Sequence, residues 1–308
     1  MVELMVSLVL VSLITLASLA LYNVAASTYK TTDDNQQLQD NARFIFEVFS
    51  QAVRQAGLQD SDQHTKFITA DPSLTLLAPA PDRSPFLLAP SQAPLFGYNN
   101  ATVASTGNVN DFGTHDTGGA TINYSDVFGV RYFGSSRLNS DPIDVGTADG
   151  SIIDCRGIAV RYPESSGDIG LSLFRIALGS ANEPELQCIN RERALAWNIV
   201  RGVETLQVMY AVNSTAGVDT TPNRWLNAKQ VSDAALWPKV RMIRVGMVLR
   251  GSIGSAQVQA AALYPLGQEF SSISGTPSTE QGMTFVPPND NRLRRAFAFN
   301  IAIRNTLD

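Results

Sequence analysis

The residues of this 308-residue chain that could take part in chemistry are few and widely spaced. They include two histidines, His64 and His115, and two cysteines, Cys155 and Cys188. Two cysteines cannot form a four-thiolate zinc site, and the spacing of the histidines fits neither a catalytic triad nor a metal site. The sequence also lacks the common phosphate-binding, nucleophile-elbow and zinc-protease motifs. It therefore predicts a protein that is not an enzyme and that needs no cofactor or metal.

Charge is distributed unevenly along the chain. There are 28 acidic and 23 basic residues, which give a formal net charge of −5. Proteins that bind nucleic acid through its phosphates usually carry a basic surface, so we expect no direct binding of nucleic acid. Glu3 is the only charged residue among the first 29. The chain thus divides into an apolar N-terminal segment and a polar remainder.

The apolar segment is long enough to cross a membrane as a helix. About 20 apolar residues span a hydrocarbon layer roughly 30 Å thick, and residues 2–26 meet this requirement. A secretory signal peptide is the alternative, because Ala25-Ala26-Ser27 resembles a cleavage site, but no basic residue precedes the apolar run. A carboxylate deep in lipid costs about 2.5–3.5 kcal/mol, so Glu3 needs a nearby cation. The alternative is that the Glu3 carboxylate lies at the membrane interface and only stabilises the helix, through its favourable interaction with the positive N-terminal end of the helix dipole.

A second, amphipathic helical segment follows over residues 38–57. A polar stretch at residues 31–37 precedes it and indicates a hinge, and the two segments together could form one nearly continuous helix of about 80 Å over residues 2–57. Apolar residues then recur every three or four positions, at Leu38, Ala42, Ile45, Phe49, Ala52, Val53 and Ala56, and Gly57 supplies a stop. Phe44 projects away from this stripe, either as a partner contact or as an isolated surface aromatic. This pattern predicts a helix with one face packed against a folded body.

The remaining residues, 58–308, are expected to form one globular head. Residues 58–125 are rich in Pro, Gly, Asn, Ser and Thr and are predicted to be mostly loops. Residues 126–308 contain period-two segments typical of strands, at residues 127–133, 157–162, 171–178, 206–212, 243–249 and 297–303. A short helix is expected near residues 232–237, ended by Pro238. Strands in succession predict an α+β fold in which the long helix packs on one mostly antiparallel sheet.

Several motifs resemble those of type IV pilins and of the pseudopilins of type II secretion. The opening Val2-Glu3-Leu4-Met5-Val6 is similar to the start of a processed pilin. Further matches indicate the PilW-like group of minor pilins: residues 40–44 (DNARF), 54–57 (RQAG), 126–132 (DVFGVRY), 202–210 (GVETLQVMY) and 294–297 (RRAF). In this family a prepilin peptidase removes a leader after a glycine, and the new N-terminal residue is methylated. The family places its glutamate four residues after that cleavage point, so the resemblance implies an in-frame leader upstream of Met1.

The resemblance implies a minor pilin that takes part in pilus assembly or priming, in a tip complex. A role in cell adhesion, DNA uptake or twitching motility stays open, because a minor pilin can influence each of them through assembly alone. Glu3 would pair with the N-terminal amine of a subunit. The subunit would first cross the inner membrane once, with an extracytoplasmic head, and then enter the extracellular filament. Its partners would be the lipid bilayer, other major and minor pilins, the inner-membrane assembly machinery and, for the precursor, the prepilin peptidase. In such a location Cys155 and Cys188 are expected to form a disulfide.

Two alternatives to a type IV minor pilin stay open at this point. A type II secretion pseudopilin would share the helix and the glutamate. A membrane-anchored adhesion or binding module would act as a monomer.

Overall fold

A computed structural model describes residues 2–58, 93–102, 115–116, 121–137, 147–162, 169–190, 196–213, 221–256, 258, 261–271 and 281–304. Helix α1, Val2–Gln55, is a single element of 54 residues and about 80 Å. It continues without a break through residues 31–37, so the hinge predicted there is wrong. Past the helix end, Gly57 has φ 72°, a left-handed conformation that glycine adopts without steric cost.

The strands form two antiparallel sheets, whereas the sequence predicted one. The first sheet follows chain order: β1 (Leu95–Tyr98), β2 (Val127–Tyr132), β3 (Gly170–Leu178), β4 (Pro184–Asn190) and β5 (Trp197–Arg201). The second has the order β7 (Arg224–Leu226), β6 (Val203–Val212), β8 (Val240–Ile253) and β9 (Arg292–Ala302). The predicted α+β class is confirmed, and the long helix packs against both sheets. The sheet region also begins earlier than predicted, because β1 lies inside residues 58–125.

Most of the predicted strands are present, with two local differences. Residues 157–162 form only an isolated bridge between Ile153 and Ala159. The short helix, α2, lies at Ala228–Asp233, and its N-terminus is closed by reciprocal hydrogen bonds between Asn227 and Gln230. Pro238 follows it within a separate turn of 3-10 helix. Most of the loop-rich region predicted at 58–125 lies outside the described residues, as do His64 and residues 305–308.

The predicted stripe on α1 forms the centre of the hydrophobic core. Phe49 is fully buried, and its ring meets the rings of Phe128 and Phe174 edge-on at 5.1 and 4.8 Å. One turn earlier, Phe46 stacks at 5.1 Å on Phe299 of the second sheet. Neighbouring buried residues of both sheets belong to the same apolar cluster. The helix therefore joins the two sheets into one core.

A second connection between the sheets runs through Asp126, just before β2. Strand β7 pairs only with the last three residues of β6, so the earlier part of that β6 edge needs other partners. The Asp126 amide donates to the Leu206 carbonyl at 2.7 Å, and its carboxylate accepts from the Val208 and Asn100 amides at 2.8 and 3.0 Å. These bonds satisfy backbone groups on part of the β6 edge of the second sheet. Their partner, Asp126, belongs to the chain segment that leads into the first sheet.

Candidate assembly site

The N-terminal half of α1 projects from the head with its apolar side chains exposed. Leu4, Leu8 and Leu16 are each more than 60% exposed, and α1 is long and apolar enough to cross a membrane. Serine and threonine hydroxyls in this half donate back to carbonyls one turn earlier, for example Ser7 to Leu4 at 3.0 Å. Since lipid offers no hydrogen-bond partners, this internal pairing suits the segment to a bilayer.

Glu3 lies in the first turn of this exposed half. None of the described side chains forms an ion pair with it, so within one chain the carboxylate has no counter-charge from that part of the protein. Its position next to the helix N-terminus is electrostatically favourable in water. In a lipid or protein interior, however, an unpaired carboxylate is costly, and a cation from another chain would relieve that cost.

Where α1 reaches the head, polar residues attach it to the end of β8 and to the turn that follows that strand. We call this attachment the latch and define it as Lys30, Thr31 and Asp34 of α1 together with residues 251–255. The Lys30 ammonium donates to the Ile253 carbonyl at 2.6 Å. The Thr31 hydroxyl is 2.9 Å from the Ser255 carbonyl. The latch therefore begins only a few residues after the apolar segment ends.

Asp34 forms the buried part of the latch. Its carboxylate accepts hydrogen bonds from the Ser252 amide at 2.9 Å and from the Ser252 hydroxyl at 2.8 Å. Burial alone would raise the pKa of Asp34, but hydrogen bonds from Ser252 and Ser255 and the charge of Lys30 outweigh it and lower this pKa. A Cβ at Gly251 would lie 2.7 Å from the Asp34 carboxylate, so the close approach of the turn requires glycine there.

A cluster of ion pairs lies at the same end of the second sheet. Arg294 is 1% exposed and binds Glu204 through two nitrogens, at 2.6 and 3.0 Å, and Asp290 at 2.6 Å. Burial works to lower the pKa of Arg294, but the hydrogen bonds and charges of Asp290 and Glu204 raise it overall. Arg250 adds a 3.3 Å contact to Glu204 and another to Glu183. Glu204 and Arg294 belong to two of the sequence motifs that resemble PilW-like proteins, so those motifs meet in space.

The two cysteines form a disulfide beside the helix. Cys155 belongs to the loop before β3, Cys188 lies in β4, and their Cα atoms are 6.2 Å apart. The bond attaches the loop of residues 147–162 to the first sheet. Between this loop, β5 and α1 lies a groove of about 290 Å³. Phe44, 50% exposed, and Trp197, 56% exposed, both line it.

Other residues that could carry chemistry have structural partners. His115 accepts a hydrogen bond from the Asn99 amide at 3.2 Å, and burial lowers its pKa. Trp225 packs edge-on against Phe270, and the Trp237 indole donates to Ser232 at 3.0 Å. No group of three potential metal ligands occurs among the described residues.

Asp34 and Asp126 are functional or structural residues that sequence reasoning missed. Asp34 stands in a polar stretch that indicated a hinge, and Asp126 directly precedes a strand, where an acid is commonly a turn residue. For Asp34 the only available signal was its position next to a segment predicted to be helical, whereas Asp126 also opens the motif of residues 126–132 that resembles PilW-like proteins.

Comparison with known proteins supports a role of the pilin type. Residues 173–305 match the family model PilW, described as Type IV Pilus-assembly protein W. The resemblance that the sequence indicated is confirmed over this segment, which runs from within β3 to beyond the end of β9.

Among solved structures, the chain is similar to a type IV-like pilin from Thermus thermophilus. The identity is 13% and the TM-score 0.34, with 80% of this chain and 97% of that chain covered. This likeness is too low to carry an argument. Comparison with curated proteins gives no match.

Proposed function

We propose that the protein is a minor pilin that takes part in assembly or priming of a type IV pilus, in a tip complex. Residues 1–57 are the assembly helix and residues 58–308 the head. The observation that carries the proposal is the division of α1: its first half is apolar and exposed, while its second half forms the core of the head. A monomeric soluble protein would not leave so much contiguous apolar surface in water.

The subunit waits in the inner membrane with residues 2–26 in lipid and the head outside the cytoplasm. On assembly, the same surface leaves the lipid and packs against the helices of other major and minor pilins. Both environments are apolar, so the transfer costs little hydrophobic free energy. The precursor is processed by the prepilin peptidase, and the machinery of the inner membrane extracts the subunit. No enzymatic activity is part of this role.

In the filament, the Glu3 carboxylate pairs with the N-terminal amine of a subunit. An unpaired carboxylate in that interior would be strongly unfavourable, so the pair selects the register in which the two charges meet. Glu3 thereby acts as a check on correct docking.

Replacing Glu3 with Ala tests this role. The Glu3→Ala protein should accumulate in the inner membrane at wild-type levels, but less of it should appear in sheared pili, and fewer pili should form. Immunoblots of the membrane and sheared fractions measure both quantities. Glu47→Ala removes an exposed acid from the same helix and should leave both unchanged. Wild-type incorporation of the Glu3→Ala protein would contradict the proposal.

A further inference from the structure

The turn that follows β8 lies close to the end of the apolar segment. Ile253, at the end of β8, is 66% exposed, and its carbonyl accepts the hydrogen bond from Lys30 at 2.6 Å. Tyr29, the preceding residue of α1, is 75% exposed. The head therefore presents an aliphatic side chain next to the place where the helix would leave lipid.

The distance along α1 places this turn in the headgroup layer. If the hydrocarbon core ends at residue 26, Lys30 lies about 6 Å further along the helix axis, since each residue rises about 1.5 Å. The polar layer on each side of a bilayer is about 5–8 Å thick. Ile253, held against Lys30, then lies at the depth where apolar and aromatic side chains anchor membrane proteins.

The chemistry around the turn fits this position. Tyr22 and Tyr29 are both at least 70% exposed and bracket the membrane end of α1, as tyrosines do at lipid interfaces. Val258, 81% exposed, follows the turn along the chain. The Asp34 carboxylate, which lipid would not tolerate unpaired, is enclosed by Ser252. Lys30 and Asp33 are both exposed and opposite in charge, so the net charge beside the turn is small and the contact with the membrane is expected to depend on apolar burial.

We propose that the end of β8 and the turn that follows it are a second membrane contact of the head, with Ile253 inserted at the lipid interface beside α1. This inference rests on the proposed function, because it requires residues 2–26 to lie in a bilayer. A helix alone lets the head rotate about the helix axis and tilt. A second contact, held to α1 by the latch, gives the head one orientation on the membrane before assembly.

Photo-crosslinking of the full-length protein tests the contact. The photoreactive residue p-benzoylphenylalanine replaces Ile253, Leu13 or Ile158 in three separate proteins, each reconstituted into vesicles of phosphatidylethanolamine and phosphatidylglycerol. Leu13 lies in the middle of the apolar segment. Ile158 is a matched exposed isoleucine on the disulfide loop, which lies beside residues 44–52 of α1, at least about 15 Å beyond the latch. Mass spectrometry detects lipid adducts.

Adducts to lipid at positions 253 and 13, with none at 158, would support the contact. Adducts at 13 without any at 253 would overturn it and leave the membrane anchor standing. A crosslink from position 253 to a neighbouring protein instead of to lipid would also overturn the proposed membrane contact, because the turn would then be a protein interface. Absence of lipid adducts at 13 would contradict the proposed membrane insertion itself, and the inference would fall with it.

Discussion

Arg294 shows how much one buried residue contributes to this head. Its guanidinium is enclosed, and it joins Glu204 of β6 to Asp290 before β9. Removing one partner of a buried ion pair leaves the other charge without compensation, which costs about 3–5 kcal/mol. Arg250 remains 3.3 Å from Glu204 and would offset part of that loss.

We therefore expect Arg294→Met to lower the free energy of unfolding by about 3 kcal/mol, toward the lower end of the range for broken buried pairs. Urea denaturation of the full-length protein in detergent micelles measures this change. Arg295→Met is the matched control, because Arg295 is the exposed neighbour on the same strand and should change stability little. Equal effects of the two substitutions would show that the cluster is not the source of the stability.

The disulfide is a second contribution to the stability of the head that depends on a single pair of residues. Cys155 and Cys188 are 33 positions apart, and a crosslink that closes a loop of that size stabilises a fold by about 3–4 kcal/mol in the chain-entropy model. The Cys155→Ser/Cys188→Ser protein should lose stability of that order. Reduction of the wild-type protein should produce the same loss, and the double variant should not respond to the reductant. A wild-type protein insensitive to reductant would contradict the expected disulfide.

At the scale of elements, the latch adds polar contacts to the apolar packing of α1 on the second sheet. Because the folded-state pKa of Asp34 is lowered, its ionised form stabilises the docked turn above the ordinary carboxyl pKa of 3.8. That stabilisation is lost as the pH falls from 3.8 through the lowered value, where protonation weakens the acceptor.

Asp34→Asn should accelerate hydrogen exchange of the Ser252 amide at neutral pH, because that amide donates to the Asp34 carboxylate. The difference from wild type should shrink below the lowered pKa of Asp34. Asp33→Asn, which changes the exposed neighbour, serves as the control and should leave the exchange unaltered. Unchanged protection in the Asp34→Asn protein would show that the hydrogen bond does not hold the turn.

Periodicity explains which elements could be predicted from sequence. Strands β6, β8 and β9 carry large apolar residues at every second position, and the stripe on α1 recurs at helical spacing. Strand β4 was not predicted, because its alternation covers only residues 185–188 and two of those four are Glu and Gln; the structure nevertheless buries all seven residues of Pro184–Asn190. Strands β1 and β7 are too short for any period to show. The latch could not be predicted, because its partners are more than 200 residues apart and only the folded sheet brings them together.

At the scale of the whole molecule, the division into two sheets depends on long-range contacts rather than on local patterns. A strand is assigned to a sheet by the strands it pairs with, and the sequence does not show this pairing. It therefore does not show that the consecutive strands β5 and β6 belong to different sheets. A single residue, Gly202 with φ 77°, turns the chain between them. The candidate site, by contrast, was predictable in outline, because an uninterrupted apolar segment with one acid is a local feature of composition.

Because α1 is unbroken, a small change in its angle at the head produces a large displacement at its N-terminus. Asp34 and Glu3 are separated by 31 residues, or about 47 Å of rigid helix, with the head as the fixed end. A tilt of only about 10° at the latch would displace Glu3 sideways by about 8 Å, which equals the axial rise of about five residues. Such a displacement exceeds any hydrogen-bond distance. If Glu3 pairs with an amine on another subunit, as proposed, the accuracy of that contact depends on how firmly the head holds the other end of α1, through the packed apolar stripe and the latch.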